Sequence, residues 1–307
     1  MAADVYLFGM TVLSTIHRCA SALPLAGGYA EIGETYVCPG GEAMNAAMLL
    51  SGLGLSTALG GPHWGVETRE GLGRYAERYG IDVSGVGFDA GFAGVRDVVL
   101  VGGQERAVLG WFGRYFSATE RRWGEPDAEA IAASRIVAID PFFPRSSERA
   151  AELAQQAGKP YVTIDCPYDG ALHQAAAASV ISREYRASHY PGQSDEALFR
   201  EYASRGAGLS IFTSGSGPMH FGRAGAAVET CAPFVVDVKS TLGAGDTFRA
   251  GVVFALLHGF TDAQCVRFAA GLAAMMCTRL PIADHVPNLD EVTEFLHELD
   301  SSIRTQP

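Results

Sequence analysis

The sequence predicts an α/β protein with a mainly parallel sheet between helices. Short apolar segments alternate with helical segments of about 10–15 residues along most of the chain. Of the 307 residues, 48% are hydrophobic and 19% are charged, which is typical of a compact protein with a large core. We find no internal repeat and no linker, so we predict a single domain over residues 1–307.

The alternation begins with an apolar strand at 5–10 and a helix at 40–54, which glycines open and Gly54 closes. Further strands are predicted at 56–61, 136–140, 161–165, 179–182 and 209–215, and further helices at 68–80, 146–158, 246–259 and 262–279. Residues 30–41 and 92–116 break this rhythm. They contain strand and hairpin patterns, with a turn at Gly102-Gly103-Gln104, and predict a small β-flap beside the main sheet.

Composition excludes several classes of protein. The net charge of −11 argues against a nucleic-acid binder. The six cysteines are scattered and the histidines lack zinc-site spacing, so we expect reduced thiols and no zinc site. The N-terminus lacks a basic segment, and the apolar run at 268–277 is shorter than the roughly 18 residues of a membrane span. We therefore expect a cytoplasmic protein without a membrane partner.

The stretch Gly243-Ala244-Gly245 runs directly into Asp246 and an apolar helix. The first N–H groups of a helix lack partners and carry partial positive charge, so a bare loop there suits a phosphate. Asp246 would then lie beside the anion, where it could take the proton of an attacking hydroxyl. The alternative interpretation is that Asp246 only caps the helix.

Three motifs in order resemble those of the PfkB (ribokinase-like) carbohydrate kinases. VVDVKSTLGAGDTFRAG (235–251) resembles the C-terminal motif of the family, PGGEAMNAAMLLSGLG (39–54) its N-terminal motif, and IFTSGSG (211–217) its nucleotide segment. Their spacing is also similar, so the resemblance covers essentially the whole chain. It implies a ribokinase-like three-layer α/β/α sandwich with a small β-lid, which residues 30–41 and 92–116 would form.

The resemblance also implies roles for the residues of the C-terminal half. Asp246 would be the catalytic base, and the amides of 243–245 would form the anion hole for the γ-phosphate. Thr213 and Gly215 would lie against ATP. Glu184 falls near the N-x-x-E motif of the family and would hold Mg²⁺ through water, although Ile181 replaces the Asn. An exposed helical glutamate is the competing interpretation of Glu184.

On the substrate side, the resemblance implies that Gly40 and Gly41 approach the acceptor and that Asn45 touches one of its hydroxyl groups. Without the resemblance, Asn45 would be interpreted as a surface or capping residue. Asp140 ends the predicted strand at 136–140, and Asp165 ends the next. The carboxyl ends of parallel strands face the ligand crevice in such sheets, so both are candidates for the site, Asp140 for sugar contact.

Two positions depart from the family pattern. Sugar kinases commonly carry an Asp five residues after the first-strand glycine, but Ser14 follows Gly9 here. This change puts a ribose-like binding mode in doubt. We expect Ser14 to lie at the substrate in place of the acid. Ser240 and Leu242 replace residues that help hold a monovalent cation. Potassium activation is therefore not expected, although Asp237 or backbone carbonyls could compensate.

Arg96, Arg106 and Arg114 lie in or beside the flap. A guanidinium pairs well with a carboxylate or phosphate, so an inward arginine would indicate a sugar acid or a phosphorylated sugar. The competing interpretation is that they are solvated. The edges of the flap also need covering, which makes the β-lid a candidate homodimer surface.

These observations predict an ATP-dependent kinase that phosphorylates a hydroxyl of a sugar-like small molecule, with Mg²⁺. A nucleoside kinase on the same fold is one alternative. A degenerate kinase fold that only binds sugar or nucleotide is another, supported by Ser14 and Ser240 and opposed by the intact Asp246.

Overall fold

The computed structural model describes residues 3–103, 105–117, 121–143 and 145–304. The strands of this part are β1 (Val5–Phe8), β2 (Val12–Cys19), β3 (Ile32–Gly40), β4 (Thr57–Gly60), β5 (Trp64–Gly65), β6 (Phe88–Asp89), β7 (Arg96–Gly102), β8 (Glu105–Gly110), β9 (Ile136–Ile139), β10 (Tyr161–Ile164), β11 (Ala178–Ile181), β12 (Leu209–Phe212), β13 (Met219–Gly222) and β14 (Glu229–Cys231). The helices are α1 (Glu42–Gly52), α2 (Arg69–Arg78), α3 (Phe112–Ser117), α4 (Ala128–Ala133), α5 (Ser146–Gln156), α6 (Ala171–Gln174), α7 (Arg183–His189), α8 (Asp195–Arg205), α9 (Ala244–Leu257), α10 (Asp262–Cys277) and α11 (Leu289–Arg304).

The central sheet has eight strands in the order β14-β13-β12-β11-β10-β9-β1-β4. The pairs from β12 to β4 are parallel, and β13 and β14 add antiparallel pairs at one edge. Every residue of β1, β9, β10, β11 and β12 is buried, as expected for strands covered by helices on both faces. The predicted α/β sandwich with a mainly parallel sheet is confirmed.

Alternation along the strands divides the interior into two hydrophobic clusters. Val5 and Leu7 pack on one face with α1, α9 and α10, whereas Tyr6 and Phe8 pack on the other with α5 and α8. Because neighbouring residues of a strand point to opposite faces, a single strand contributes to both clusters. The layer of α1 and α9 brings the two glycine-rich motifs together.

A second sheet of four strands, in the order β3-β2-β7-β8, forms the lid. Strand β2 pairs antiparallel with β3 and parallel with β7, and β8 closes the hairpin with β7. The predicted lid segments 30–41 and 92–116 contain β3, β7 and β8. The strand β2 was missed, and residues 112–117 form the helix α3 rather than strand. Gln104, in the predicted turn, lies outside the described residues.

The described chain also contains elements that the sequence analysis did not predict, among them α4, α8, α11 and the antiparallel edge strands. Among the described residues, no helix combines the length and apolar character needed to cross a membrane.

Candidate active site

Asp246 lies in the first turn of α9, at the end of the glycine-rich loop. Gly243 precedes the helix with a left-handed φ of 70°, and a Cβ there would lie 2.5 Å from Ile282 Cδ1. The carbonyl of Gly243 accepts hydrogen bonds from the Thr247 amide and, at 2.9 Å, from its hydroxyl. Only glycine fits this position, and the bonds to Thr247 fix the start of the helix.

The predicted anion hole is the backbone from Gly243 to Gly245. A Cβ at Gly245 would meet no atom closer than Ile164 Cδ1 at 4.0 Å, so the approach to this amide is open. The Ala244 amide donates a long hydrogen bond of 3.3 Å to the Thr241 carbonyl. The amides stand at the positive end of a 14-residue helix, where an anion is stabilised.

Asn45 reaches the base from α1. Its Nδ2 donates to Asp246 Oδ2 over 2.7 Å, across 201 residues of sequence. The helix α1 is held by Gly41, which has a φ of 88° and leaves no room for a Cβ beside the Met10 carbonyl. That carbonyl accepts from the amides of Ala43 and Met44. The N-terminal motif therefore positions Asn45 against the predicted base; its contact with substrate stays a prediction.

Asp246 is half-buried, and its surroundings raise its pKa to about 6. Burial is the main cause, because it disfavours the charged form. The hydrogen bond from Asn45 and the charge of Arg249 act in the opposite direction. The carboxyl therefore ionises just below neutral pH while remaining a stronger base than an exposed aspartate.

Asp140 lies at the carboxyl end of β9, as expected, and it is fully buried; its contact with sugar stays a prediction. It forms an ion pair with Arg249 of α9 and accepts the Met10 amide at 2.7 Å. The Arg249 Nε and Nη2 atoms are buried without a partner in the described part of the chain. Nearby, burial and the charges of Asp246 and Asp140 raise the pKa of Glu42 well above its usual range. Asp140 thus holds Arg249, which lies on the same helix as Asp246.

The predicted ATP residues, Thr213 and Gly215, follow β12. Gly215 has a left-handed φ of 59°. Arg186 of α7, which the sequence analysis missed, holds this loop. It is 3% exposed, donates to the carbonyls of Ile181 and Thr213 at 2.8 and 3.0 Å, and pairs with Asp195. No local motif marks Arg186, because its partners come from three separate segments.

Glu184 occupies the first turn of α7. Its side chain is 67% exposed and lies 3.3 Å from Arg183. Asp165, with φ of 44°, accepts from the Ser182 amide and hydroxyl at 2.7 and 2.9 Å. In the described residues, no three acidic, histidine or cysteine side chains converge as a metal site. Mg²⁺ that arrives on nucleotide phosphates needs only one or two protein carboxylates, and Glu184 and Asp165 fit that requirement.

Ser14 lies on the lid strand β2 and is 4% exposed. A Cβ at Gly40 would lie 2.5 Å from Ser14 Oγ, so the glycine lets the two strands approach. Ser14 pairs in register with Asp97 of β7, a buried acid that the sequence analysis also missed. The signal was present in RDVVLVG (96–102), where an acid falls on the apolar face of an alternating strand.

The lid arginines differ in their contacts. Arg96 pairs with Glu67 and lies 5.4 Å from the centre of the Trp111 ring. Arg106 of β8 spans from the lid to the glycine-rich loop, where Nη1 donates to Thr241 Oγ1 over 2.6 Å. Its charge also lowers the pKa of Asp246. The side chain of Arg114 lies outside the described residues.

Comparisons with known proteins show the family and the fold of the chain. A model of the pfkB family carbohydrate kinases matches residues 8–288. A 5-dehydro-2-deoxygluconokinase of Geobacillus thermodenitrificans is 25% identical over 69 residues, which are 22% of this chain and 20% of that protein. The chain thus matches only about a fifth of the length of that curated relative.

Two solved structures cover nearly the whole chain. Arabidopsis thaliana ribokinase, complexed with ribose and ATP, superposes with a TM-score of 0.79 at 19% identity and covers 96% of this chain and 99% of its own. A nucleoside kinase of Methanocaldococcus jannaschii, described as an archaeal member of the ribokinase family, gives 0.74 at 18% identity, with 96% and 98% covered. At these identities the likeness shows the fold.

Proposed function

This chain belongs to the PfkB family of carbohydrate kinases, and we propose that it transfers the γ-phosphate of ATP to a hydroxyl of a sugar or sugar derivative. The observation that carries the proposal is Asp246 in the first turn of α9, half-buried and hydrogen-bonded by Asn45. A carboxylate beside a row of helix-terminal amides combines a base with an anion site.

In the proposed reaction, Asp246 removes the proton of the acceptor hydroxyl while the hydroxyl oxygen of the acceptor forms a bond to the γ-phosphorus. The bond from the γ-phosphorus to the β–γ bridging oxygen breaks, and ADP leaves with the electron pair. The amides of 243–245 stabilise charge on the transferred group. Because the pKa of Asp246 is about 6, the carboxylate is ionised at neutral pH.

The nucleotide would lie along the loop after β12. Thr213 and Gly215 would contact it, and Arg186 would keep that loop in place through the Thr213 carbonyl. Mg²⁺ supplies charge neutralisation on the phosphates when bound. Glu184, through water, and Asp165 would hold the ion. Ser240, whose hydroxyl accepts from the Leu242 amide at 3.1 Å, gives no carboxylate to a monovalent cation.

The substitution Asp246→Asn tests the proposal. We expect it to keep the fold and to lower kcat by about 10²–10⁴, the usual contribution of a positioned base. ADP release with Mg-ATP would be measured against neutral sugars, sugar acids, sugar phosphates and nucleosides. Turnover with nucleosides but not with sugars would support the alternative, a nucleoside kinase.

A matched control is Asp262→Asn, which makes the same change in the first turn of the neighbouring helix α10. Its turnover should equal that of the wild type. Unchanged turnover in Asp246→Asn would remove the carboxyl from the mechanism. A wild type that binds nucleotide but releases no ADP with any acceptor would favour the binding-protein alternative.

A further inference from the structure

Asp97 lies inside the lid, on β7, directly opposite Ser14 of β2. The two side chains are 8% and 4% exposed, so both point away from solvent. Ser14 in turn lies against Gly40, one residue before Gly41 and the start of α1. The same helix carries Asn45, which is bonded to Asp246. Asp97 therefore lies in the lid, and its neighbour Ser14 is next to the segment that carries Asn45 to the predicted base.

One oxygen of Asp97 is left without a partner. Oδ1 is buried and has no hydrogen bond to any described residue. Burial raises the pKa of Asp97, and hydrogen bonding from the Ser14 hydroxyl only partly opposes this rise. A buried carboxylate without full compensation destabilises the free protein, so its presence needs a reason outside the fold.

A ligand with hydroxyl groups would supply that reason. Each hydroxyl can donate to a carboxylate oxygen, and hydrogen bonds to a charged acceptor are the stronger ones. Ser14 occupies the position where the family resemblance implies an acid. Ser14 and Asp97 are neighbours in the sheet, so a carboxylate on β7 reaches the same space.

We propose that Asp97 binds hydroxyl groups of the acceptor and takes the place of the missing first-strand acid, which makes the acceptor a neutral polyol at the lid end of the site. The proposal rests on the kinase function proposed above. A sugar acid with its carboxylate at this end would face Asp97 with like charge. Arg96 Nη1 is paired with Glu67 on the lid, although Arg96 Nε is buried without a partner among the described residues. The lid end therefore selects hydroxyl groups and rejects carboxylates.

The experiment compares wild type, Asp97→Asn and the control Glu105→Gln, which removes one negative charge from an exposed position of the same sheet. ADP release is measured with Mg-ATP and two panels: neutral sugars (ribose, fructose, glucose) and sugar acids (gluconate, 2-keto-3-deoxygluconate). We expect turnover of a neutral sugar, with its KM raised about 10- to 100-fold in Asp97→Asn. The kcat and the KM for ATP should change less than about twofold, and Glu105→Gln should match wild type.

Thermal melting without ligand provides a second readout that needs no substrate. Asp97→Asn removes a buried charge and keeps the shape, so we expect an equal or higher Tm. A carboxylate that serves only to hold the lid together would give a lower Tm when replaced. A lower Tm would overturn the proposal.

Two kinetic results would also overturn it: turnover of sugar acids alone, or an unchanged KM for the neutral sugar in Asp97→Asn. Failure of the kinase function looks different, because wild type then releases no ADP with either panel and Asp246→Asn changes nothing. In that case a lower Tm of Asp97→Asn still overturns the proposal, because it assigns Asp97 to the structure of the lid.

Discussion

The pKa of Asp246, the proposed base, depends on side chains from several elements. Asn45 and Arg249 stabilise its charged form, as does Arg106 from the lid, while burial and Asp140 oppose ionisation. Asn45 makes the only direct hydrogen bond described to this carboxyl, at 2.7 Å. Asn45, from the N-terminal motif, therefore lowers the pKa of Asp246, from the C-terminal motif.

This arrangement predicts the pH dependence of the reaction. The base acts when it is deprotonated, so kcat/KM should rise with pH through a midpoint near 6 and then level off. Asn45→Ala removes a donor that favours the ionised form, so its midpoint should move to higher pH. The measurement is kcat/KM for the acceptor between about pH 5 and pH 9 at saturating Mg-ATP.

Ser51→Ala is the control for that series. Ser51 lies on the same helix α1 but forms its hydrogen bond with Thr57 of β4, not with Asp246. Its profile should coincide with that of wild type. If Asn45→Ala lowered kcat/KM equally at every pH, its hydrogen bond would not set the pKa of Asp246.

Single residues of the site differ in how far a sequence can reveal them. Asp246 and Gly243 lie within one short motif, so local pattern and helix-terminus physics suffice. Arg186 and Asp97 lie outside the quoted motifs. Arg249 lies within the C-terminal motif, but it pairs with Asp140, which is far away in sequence, and no local pattern shows that pair. The ion pair of Asp140 with Arg249 is not visible in the sequence, and the sugar contact predicted from its place at the end of β9 stays a prediction.

At the scale of elements, the loop before α9 requires its two glycines for different reasons. Gly243 has a left-handed φ of 70° and no room for a Cβ, whereas Gly245 has an ordinary φ and open space around it. Gly243→Ala should therefore destabilise the protein by about 1–3 kcal/mol. Gly245→Ala should leave stability equal or raise it by up to about 1 kcal/mol, because alanine favours the helix.

Activity should separate from stability in this pair. The new Cβ of Gly245→Ala would occupy the open approach to the amides, so we expect the KM for ATP to rise about tenfold or more while the fold is retained. Denaturant unfolding and ADP-release kinetics on both variants measure the two effects. A normal KM for ATP in Gly245→Ala would place the γ-phosphate away from these amides.

The helices and strands themselves were predicted where their periodicity is strong. Strands β9 and β10 and helices α9 and α10 follow apolar runs bounded by glycine or polar turns, and they lie near the expected positions. The strand β2 was missed although VLSTIHRC alternates apolar and polar residues, because it begins at Val12, shortly after the apolar run of β1 ends at Phe8. The helix α3 lies in the segment predicted for the lid, and its Tyr115 is buried in the cluster that contains Phe8 and Phe143.

For the whole molecule, the layers can be predicted from the alternation of strands and helices along the sequence, but the pairing of distant strands cannot. Parallel strands joined by helices predict the sandwich. The lid joins β2 and β3 to β7 and β8 across more than fifty residues, and no local pattern indicates that register. This long-range pairing is what places Ser14 beside Asp97.

The lid sheet leaves apolar side chains exposed at both edges. Val37 of β3 is 53% exposed, Leu109 of β8 is 58% exposed, and Trp111 follows at 51%. Strands β3 and β8 are the edges of that sheet in the described chain, and edge strands with apolar side chains favour pairing with another copy. We therefore keep the prediction that two copies associate through their lids.

Sedimentation of Leu109→Lys tests that association. A lysine within an apolar contact should weaken the dimer by about tenfold or more, and Val235→Lys, at a 92% exposed position outside the lid, should leave it unchanged. Wild type that sediments as a monomer at micromolar concentration would contradict the prediction, as would equal dissociation of the two variants. If the dimer forms, kcat/KM should fall together with it in Leu109→Lys, because β8 also carries Arg106, which reaches the glycine-rich loop through Thr241.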